Sequence, residues 1–214
     1  MTAFSDSPTL DVCEIFYSLQ GESSFAGLPC IFIRLSGCNL HCKWCDTQYA
    51  WEPGTPMGIP QILDQIRAYP TKLVEITGGE PLLQDGCPDL MRSLGAHGYT
   101  VLLETNGSIM LDEVPPQVIK IVDVKCPGSG HGDSFLIQNL TYLLPHDELK
   151  FVIADRSDYN FAQDFIRKNN LKSKQLIFSP VVSLLEPKIL AQWMLEDGSG
   201  ARLQLQLHKI LSIA

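Results

Sequence analysis

Short apolar segments recur along this chain and are separated by Gly, Pro, Asn or Ser. Segments of that length, rich in β-branched or apolar residues and bounded by turn formers, are typical of strands. The predicted strands are Val12–Ser18, Cys30–Leu35, Leu73–Thr77, Thr100–Glu104, Val118–Val124, Leu149–Ile153, Gln175–Ser179 and Arg202–Leu207.

Apolar residues at helical spacing lie between several of these strands. The first such segment starts with Pro60, a favoured first-turn residue, and places Ile62, Leu63 and Ile66 on one face. The predicted helices are Pro60–Ala68, Pro88–His97, Asp158–Asn169 and Glu186–Glu196. Strands that alternate with helices favour a parallel α/β sheet.

A complete eight-fold barrel typically needs about 250 residues. This chain has 214 residues, and we predict fewer helices than strands. We therefore expect a single domain over residues 1–214, built as an open, partial TIM-like barrel of mostly parallel strands.

Composition narrows the class of protein. No run of about 18 apolar residues is present, so we expect no membrane span. The N-terminal segment has neither a basic nor an apolar signal region, which favours a cytoplasmic location. The net charge of −8 argues against duplex nucleic acid as a partner and favours a small-molecule substrate.

Three of the seven cysteines, Cys38, Cys42 and Cys45, form a C-x3-C-x2-C pattern. Thiolates are soft ligands that suit iron–sulfur clusters or zinc. A structural zinc site is normally closed by a fourth ligand, and the chain has no second C-x-x-C pair. Three thiolates would leave one iron of a cubane cluster open to a substrate or cofactor. A zinc loop and buried free thiols remain alternatives.

Several polar, Gly-rich motifs directly follow predicted strands. They are Ser36-Gly37-Cys38, Gly78-Gly79-Glu80, Asn106-Gly107-Ser108, Lys125-Cys126-Pro127-Gly128 and Ser179-Pro180. Ligands of α/β folds gather where strands end at their carboxyl edge. One active site surrounded by these loops is therefore predicted.

The cysteine spacing, with an aromatic residue before the last cysteine, resembles the signature of the radical S-adenosylmethionine superfamily. That resemblance implies a 4Fe–4S cluster on Cys38, Cys42 and Cys45. It also implies that S-adenosylmethionine binds the open iron and that one electron cleaves it to a deoxyadenosyl radical. The matching Gly78-Gly79-Glu80 motif would bind the methionine amino group.

Motifs spread over almost the whole chain are similar to those of the 7-carboxy-7-deazaguanine synthase family. They are Glu14 to Glu22, Arg34 to Leu40, Cys45 to Ala50, Glu104 to Ser108, Asp123 to Gly130 and Gln204 to Lys209. The resemblance implies a carbon–nitrogen lyase of the queuosine and deazapurine pathway. It would convert 6-carboxy-5,6,7,8-tetrahydropterin to 7-carboxy-7-deazaguanine with loss of ammonia. The resemblance also implies magnesium, a homodimer and a reductant such as flavodoxin or ferredoxin. It assigns no residue as a catalytic acid or base.

The same resemblance predicts the site residues. Thr47 would bind magnesium. The cofactor residues would be Trp44, Cys45, Asp46, Gly78, Gly79, Glu80, Ser108, Asp123, Val124, Lys125, Ser179, Pro180, Val181 and Val182. The substrate residues would be Leu19, Gln20, Gly21, Glu22, Arg34, Thr77, His208 and the terminal Ala214.

Some of these roles also follow from side-chain chemistry. Arg34 ends a strand near the cysteines, where a guanidinium can grip a carboxylate at two points. The amide of Gln20 and the carboxylate of Glu22 can read an amino-pyrimidinone edge. His208 follows alternating leucines and glutamines, so we expect it on the polar face of a half-buried strand.

The residues leave other interpretations open. Arg34 can be a surface arginine, Gln20 and Glu22 a polar turn, and Trp44 a core aromatic. An enzyme that makes a glycyl radical on a partner protein would share the cysteine and Gly-Gly-Glu motifs. A small zinc-binding interaction module is the non-enzymatic alternative.

Overall fold

The computed structural model describes residues 8–213, apart from the side chain of Ser173. Its strands are β1 Thr9–Leu19, β2 Pro29–Leu35, β3 Thr55–Gly58, β4 Leu73–Gly78, β5 Thr100–Thr105, β6 Ile119–Asp123, β7 Glu148–Ile153, β8 Gln175–Pro180 and β9 Arg202–Leu203. Its α-helices are α1 Ile59–Ile66, α2 Cys87–Ala96, α3 Arg156–Lys168, α4 Pro187–Glu196 and α5 Leu207–Leu211. Short 3-10 helices occupy Gln48–Trp51, Pro81–Leu83, Pro127–Ser129, Ile137–Tyr142 and Leu171–Ser173.

All nine strands of the described residues form one sheet, in the order β3-β1-β2-β4-β5-β6-β7-β8-β9. The neighbours from β2 to β9 run parallel, whereas β1 pairs antiparallel with both β2 and β3. Because β3 and β9 are different edges, the sheet does not close on itself. The prediction of an open, partial barrel with more strands than α-helices is confirmed.

Alternate residues of each parallel strand face opposite sides of the sheet. On β2, Ile31 and Ile33 pack in the larger core, which also holds the buried faces of helices α1 to α4. Cys30 and Phe32 face the other way and pack with Leu102 of β5 in a smaller apolar cluster. The inward face of the sheet therefore has an apolar floor formed by the smaller cluster.

Most predicted elements occur with ends shifted by at most three residues, but the last predicted strand is wrong. Only Arg202–Leu203 pairs with β8. The Gln204 N–H still donates to the Phe178 carbonyl of β8 at 2.9 Å, and the chain then leaves the sheet. The Gln204 side chain bonds both the N–H and the C=O of Ser23 at 2.8 Å. The alternation of leucine and glutamine thus leads into α5, a helix that we did not predict, just as the short β3 was not predicted.

No helix within residues 8–213 is long and apolar enough to cross a bilayer.

Candidate active site

A cavity of about 570 Å³ opens at the carboxyl ends of the parallel strands. It collects most of the predicted site residues, although these come from distant parts of the chain. Those that line it are Leu19, Gln20, Gly21, Glu22, Arg34, Cys38, Cys42, Trp44, Cys45, Asp46, Thr47, Thr77, Gly78, Gly79, Asp123, Lys125, Ser179, Pro180, Val181, Val182 and His208. The prediction of one site at this sheet edge agrees with this placement.

Three predicted residues do not line the cavity. The Val124 side chain packs in the larger core, since Val124 directly follows the last residue of β6, the inward Asp123, and faces the other way. Ser108 instead accepts a hydrogen bond of 2.8 Å from Asn39. The third is Glu80, described next. Ala214 lies outside the described residues.

The Glu80 carboxylate is completely buried behind the cavity wall. It accepts hydrogen bonds from the Thr105 hydroxyl at 2.8 Å, the Asn106 N–H at 2.7 Å and the Leu82 N–H at 3.1 Å. Burial raises its pKa, and these donors oppose that shift. Glu80 therefore holds the Asn106 loop in place from behind the cavity wall, and its contact with the cofactor stays a prediction.

The cysteine loop is anchored by contacts with two neighbouring segments. His41 stacks on Trp51 with ring centroids 4.3 Å apart, and its N–H donates to Nε2 of His131 at 3.1 Å. The Lys43 N–H donates to the Ser129 carbonyl at 3.1 Å. These contacts keep the three cysteines on the cavity wall.

The cysteines suit a cluster better than a single zinc ion. Burial raises the pKa of the Cys38 and Cys42 thiols, so their thiolates need a nearby positive metal. Within residues 8–213, no three or more His, Cys, Asp or Glu side chains are grouped to hold one ion. Zinc requires such convergence, whereas each thiolate of a cubane binds a different iron.

Gly78 and Gly79 pack directly against the strand end that leads into the cysteine loop. The Gly79 N–H donates to the Leu35 carbonyl at 3.1 Å, and the next N–H donates to the Gly37 carbonyl at 2.8 Å. A Cβ on Gly79 would lie 2.0 Å from the Gly37 oxygen and 2.8 Å from Cβ of Cys38. Glycine is therefore required here by the packing of two backbones beside the cluster loop.

Replacing Gly79 with Ala is expected to displace Gly37 and Cys38, because the added Cβ overlaps backbone. Iron content per chain should fall several-fold, and the melting temperature should drop by about 5 °C or more. Elemental analysis and thermal unfolding would measure the two effects. Gly200→Ala is the matched control, because no atom lies within 4 Å of that Cβ. Full iron loading of the Gly79 variant would contradict the packing argument.

Charged side chains occupy the inward positions of four parallel strands, above the apolar floor. Glu75, Glu104, Asp123 and Lys150 all line the cavity. The Lys150 ammonium contacts Glu104 directly, and its Nζ lies 3.9 Å from Oδ2 of Asp123. We call these four residues the charged layer.

Glu75 is the carboxyl of the charged layer whose pKa is raised. Burial first, and then the neighbouring Glu104 and Glu22, raise its pKa well above the ordinary 4.5. It accepts a hydrogen bond from Nε2 of Gln20, whose Oε1 accepts the Glu22 N–H at 3.0 Å. The Gln20 amide is therefore fixed in orientation at the cavity wall.

When the pKa of a carboxyl group is higher in the folded than in the unfolded protein, folding becomes less favourable as pH rises above the pKa of the unfolded state. Glu75→Gln should remove this cost, because an amide carries no charge at any pH and can still bond Gln20. We expect the variant to gain stability relative to the native protein as pH rises from 5 to 8. Urea unfolding at several pH values measures this, with the exposed Glu196→Gln as control. A stability difference that is constant with pH would contradict it.

Arg34 is held by one carboxylate and two aromatic rings. Its Nε donates to Oε1 of Glu14 at 2.7 Å, and the Tyr49 hydroxyl donates to the same oxygen at 2.9 Å. The guanidinium carbon lies 5.6 Å and 5.8 Å from the ring centroids of Phe16 and Tyr49. Its terminal nitrogens make no hydrogen bond to any described residue, so they can bind a ligand carboxylate.

Helix α5 lies at the cavity mouth. The Leu207 N–H donates to the Gly21 carbonyl at 3.0 Å, and a Cβ on Gly21 would lie 2.1 Å from Nδ1 of His208. Nζ of Lys209 lies 2.5 Å from Oδ2 of Asp46. His208 therefore faces the site from a helix, and not from the polar face of a strand as predicted.

Sequence reasoning omitted several residues from the predicted site. The additional lining residues are Phe16, Phe32, Leu40, Trp51, Glu75, Glu104, Thr105, Asn106, Lys150, Val152, Ser183, Gln206 and Lys209. A signal for three of them was present, because Glu75, Glu104 and Lys150 are charged residues inside otherwise apolar strands. A charge at an inward strand position is costly unless it is paired or used.

Comparison with known proteins decides the family. Residues 32–123 match the family model described as "Radical SAM superfamily". The chain is 49% identical to the 7-carboxy-7-deazaguanine synthase of Koribacter versatilis, over 94% of this chain and 96% of the relative. This chain belongs to the 7-carboxy-7-deazaguanine synthase family. The family member from Chlorobaculum tepidum is 46% identical over 97% of this chain and 96% of its own.

Solved structures support the family assignment. The crystal structure of QueE from Escherichia coli superposes with a TM-score of 0.79 at 25% identity, covering 92% of this chain and 94% of QueE. Membership of the family implies a 4Fe–4S cluster, S-adenosylmethionine, a small-molecule substrate and an external electron donor. The predicted enzyme class and its two main cofactors are therefore confirmed.

Proposed function

We propose that this chain converts 6-carboxy-5,6,7,8-tetrahydropterin to 7-carboxy-7-deazaguanine with release of ammonia, in queuosine or deazapurine biosynthesis. One observation carries the proposal: the three cysteines open onto the same cavity as Arg34 and the charged layer. A cluster-bound cofactor and a carboxylated, amino-substituted ring would therefore meet in one space. The names of the relatives support the same reaction.

We assign the cluster to Cys38, Cys42 and Cys45. A cluster held there would supply the electron for radical chemistry with S-adenosylmethionine, which would remove a hydrogen from the substrate. The chain itself binds and orients the cofactor. Besides Cys45, the residues proposed to contact it are Trp44, Asp46, Gly78, Gly79, Asp123, Lys125, Ser179, Pro180, Val181 and Val182.

Asp123 provides the best evidence for a bound cofactor. Its Oδ2 accepts a hydrogen bond of 2.8 Å from Lys125, whereas its buried Oδ1 has no hydrogen-bond partner among the described residues. A buried acceptor without a partner is costly in a folded protein. A hydroxyl or ammonium donor of the cofactor would satisfy it.

The substrate residues would act by binding and orientation. Arg34 would bind the substrate carboxylate through its terminal nitrogens, which leave the Glu14 contact intact. Gln20 and Glu22 would bind the pyrimidinone ring, with Leu19, Gly21, Thr77 and His208 completing the wall. Ala214 stays a predicted substrate contact.

Thr47 is proposed to bind magnesium. Its hydroxyl lies 3.7 Å from the Cys45 sulfur and lines the cavity. Magnesium takes few protein ligands and fills its octahedron with water and substrate oxygens, so one threonine is compatible with such a site.

Anaerobic incubation of the protein with reductant, S-adenosylmethionine, magnesium and the carboxypterin tests the proposal. Mass spectrometry should detect 7-carboxy-7-deazaguanine together with an equal amount of ammonia. Cofactor cleavage without this product would reject the reaction and favour an enzyme that acts on another substrate, such as a partner protein.

Four further statements stay predictions. A homodimer can be checked by light scattering, and flavodoxin or ferredoxin by the rate of cluster reduction. The cytoplasmic location and a single domain over residues 1–214 are expected from the sequence alone.

A further inference from the structure

Lys150 is a buried lysine that the proposed reaction has not yet used. Only 4% of its side chain is exposed, and it contacts acidic residues from three different parts of the chain. Its Nζ lies 2.9 Å from Oε2 of Glu22, next to Oε1 of Glu104 and 3.9 Å from Oδ2 of Asp123. Lys150 therefore connects the substrate end of the cavity with the cofactor end.

The pKa shifts of Lys150 and Glu22 agree with this geometry. Burial alone would lower the Lys150 pKa, but Glu104, Glu22 and Asp123 raise it well above its ordinary value. Burial alone would raise the Glu22 pKa, but Lys150 and Gln206 bring it below its ordinary value. The arrangement is an ammonium that neutralises carboxylates which would otherwise repel one another.

The carboxylates keep acceptor capacity on the cavity side. Oε1 of Glu104 contacts Lys150, whereas Oε2 has only the Thr77 hydroxyl at 3.5 Å, a distance at which a hydrogen bond is weak. Each oxygen of Glu22 has one protein donor, Gln206 at 2.8 Å or Lys150 at 2.9 Å. A carboxylate oxygen can accept from two donors, so further donors can be bound.

We propose that Lys150 is a positioning residue for the substrate, which orients the Glu22 and Glu104 carboxylates towards the donor groups of the pyrimidinone ring. The 2-amino group and the ring N–H of that edge are both donors, and they match the free acceptor positions of the two carboxylates. Lys150 acts through these two residues, and the inference rests on the proposed function.

Lys120 shows what a purely structural buried lysine looks like in this fold. It is 2% exposed and its Nζ lies 2.8 Å from Oδ2 of Asp147. It belongs to β6 but does not line the cavity, because it alternates with the inward Asp123 and Ile121. Loss of either ammonium leaves a buried carboxylate without its lysine, but of these two lysines only Lys150 pairs with carboxylates that line the cavity.

The test compares Lys150→Met with Lys120→Met in cluster-loaded protein. Lys150→Met should weaken carboxypterin binding by about 30-fold or more, since truncating one partner of a buried charge pair is costly. Its affinity for S-adenosylmethionine and its cluster absorbance should change little. Lys120→Met should lower stability and leave carboxypterin affinity unchanged. Calorimetric titration with each ligand measures these values.

A double variant separates positioning from stability. Lys150→Met with Glu104→Gln should recover part of the lost melting temperature, because one of the two carboxylates that directly contact Lys150 is gone. Carboxypterin affinity should stay low, because the Glu104 carboxylate acceptor is gone as well. Recovery of both would indicate a structural role only and would overturn the inference.

Two other results would also overturn it: native carboxypterin affinity in Lys150→Met, or an equal loss of affinity in Lys120→Met. If Lys150→Met does not bind its cluster, carboxypterin affinity is measured in the single variant Glu104→Gln instead. Unchanged affinity in Glu104→Gln would reject the inference. The native protein tests the proposed function separately, since failure to bind or convert the carboxypterin would reject that function whatever the variants do.

Discussion

Cys42→Ala is expected to carry no stable cluster and to form no detectable product. Cys42 is one of the three cysteines that line the cavity wall and are proposed to hold the cluster. A cluster held by two protein thiolates has lost a strong, charged ligand. Iron content and the visible absorbance of anaerobically purified protein would measure the loss.

Cys13→Ala is the matched control for Cys42→Ala. Cys13 is a half-buried cysteine of β1 that does not line the cavity, so its loss should leave iron content and product formation unchanged. Full turnover by Cys42→Ala would show that the ligand assignment is wrong.

Arg34→Ala should raise the dissociation constant of the carboxypterin by about 100-fold, the cost of losing a charge-assisted, two-point contact. The cluster spectrum should not change, because Arg34 contacts Glu14, Tyr49 and Phe16 and none of the three cysteines. Titration calorimetry on cluster-loaded protein would measure the effect.

Two controls belong with Arg34→Ala. Arg34→Lys keeps the charge but not the planar fork, so it should recover only part of the affinity. Arg92→Ala removes an exposed arginine paired with Asp89 and should change nothing in binding. Carboxypterin affinity that is unchanged in Arg34→Ala would remove this residue from the substrate site.

The sequence predicts most of this fold because its elements are locally consistent. Strand β4 is an apolar segment that ends in glycines, and α1 starts with a proline and has one apolar face. The prediction fails near the C-terminus, where the Gln204 side chain bonds Ser23. That contact joins residues far apart in sequence, so local periodicity carries no information about it.

The candidate site is predictable only where its residues follow motifs. The cysteines and Arg34 are found by spacing and by position at a strand end. Lys150 is missed because a lone lysine in an apolar strand has no meaning until its partners Glu22 and Glu104 are known. For Glu80 the motif identifies the residue but carries no information about its bond with the Asn106 N–H, which joins two separate strand ends.

The contacts between the loop after β1 and the segment after β9 have a further consequence. Gln204 and Leu207 bond Ser23 and Gly21 across the gap between the two sides of the open sheet. A few hydrogen bonds there form the seam of the barrel, in place of a continuous strand ladder. Loss of these few bonds would therefore separate the two sides of the sheet while every strand pair stays intact.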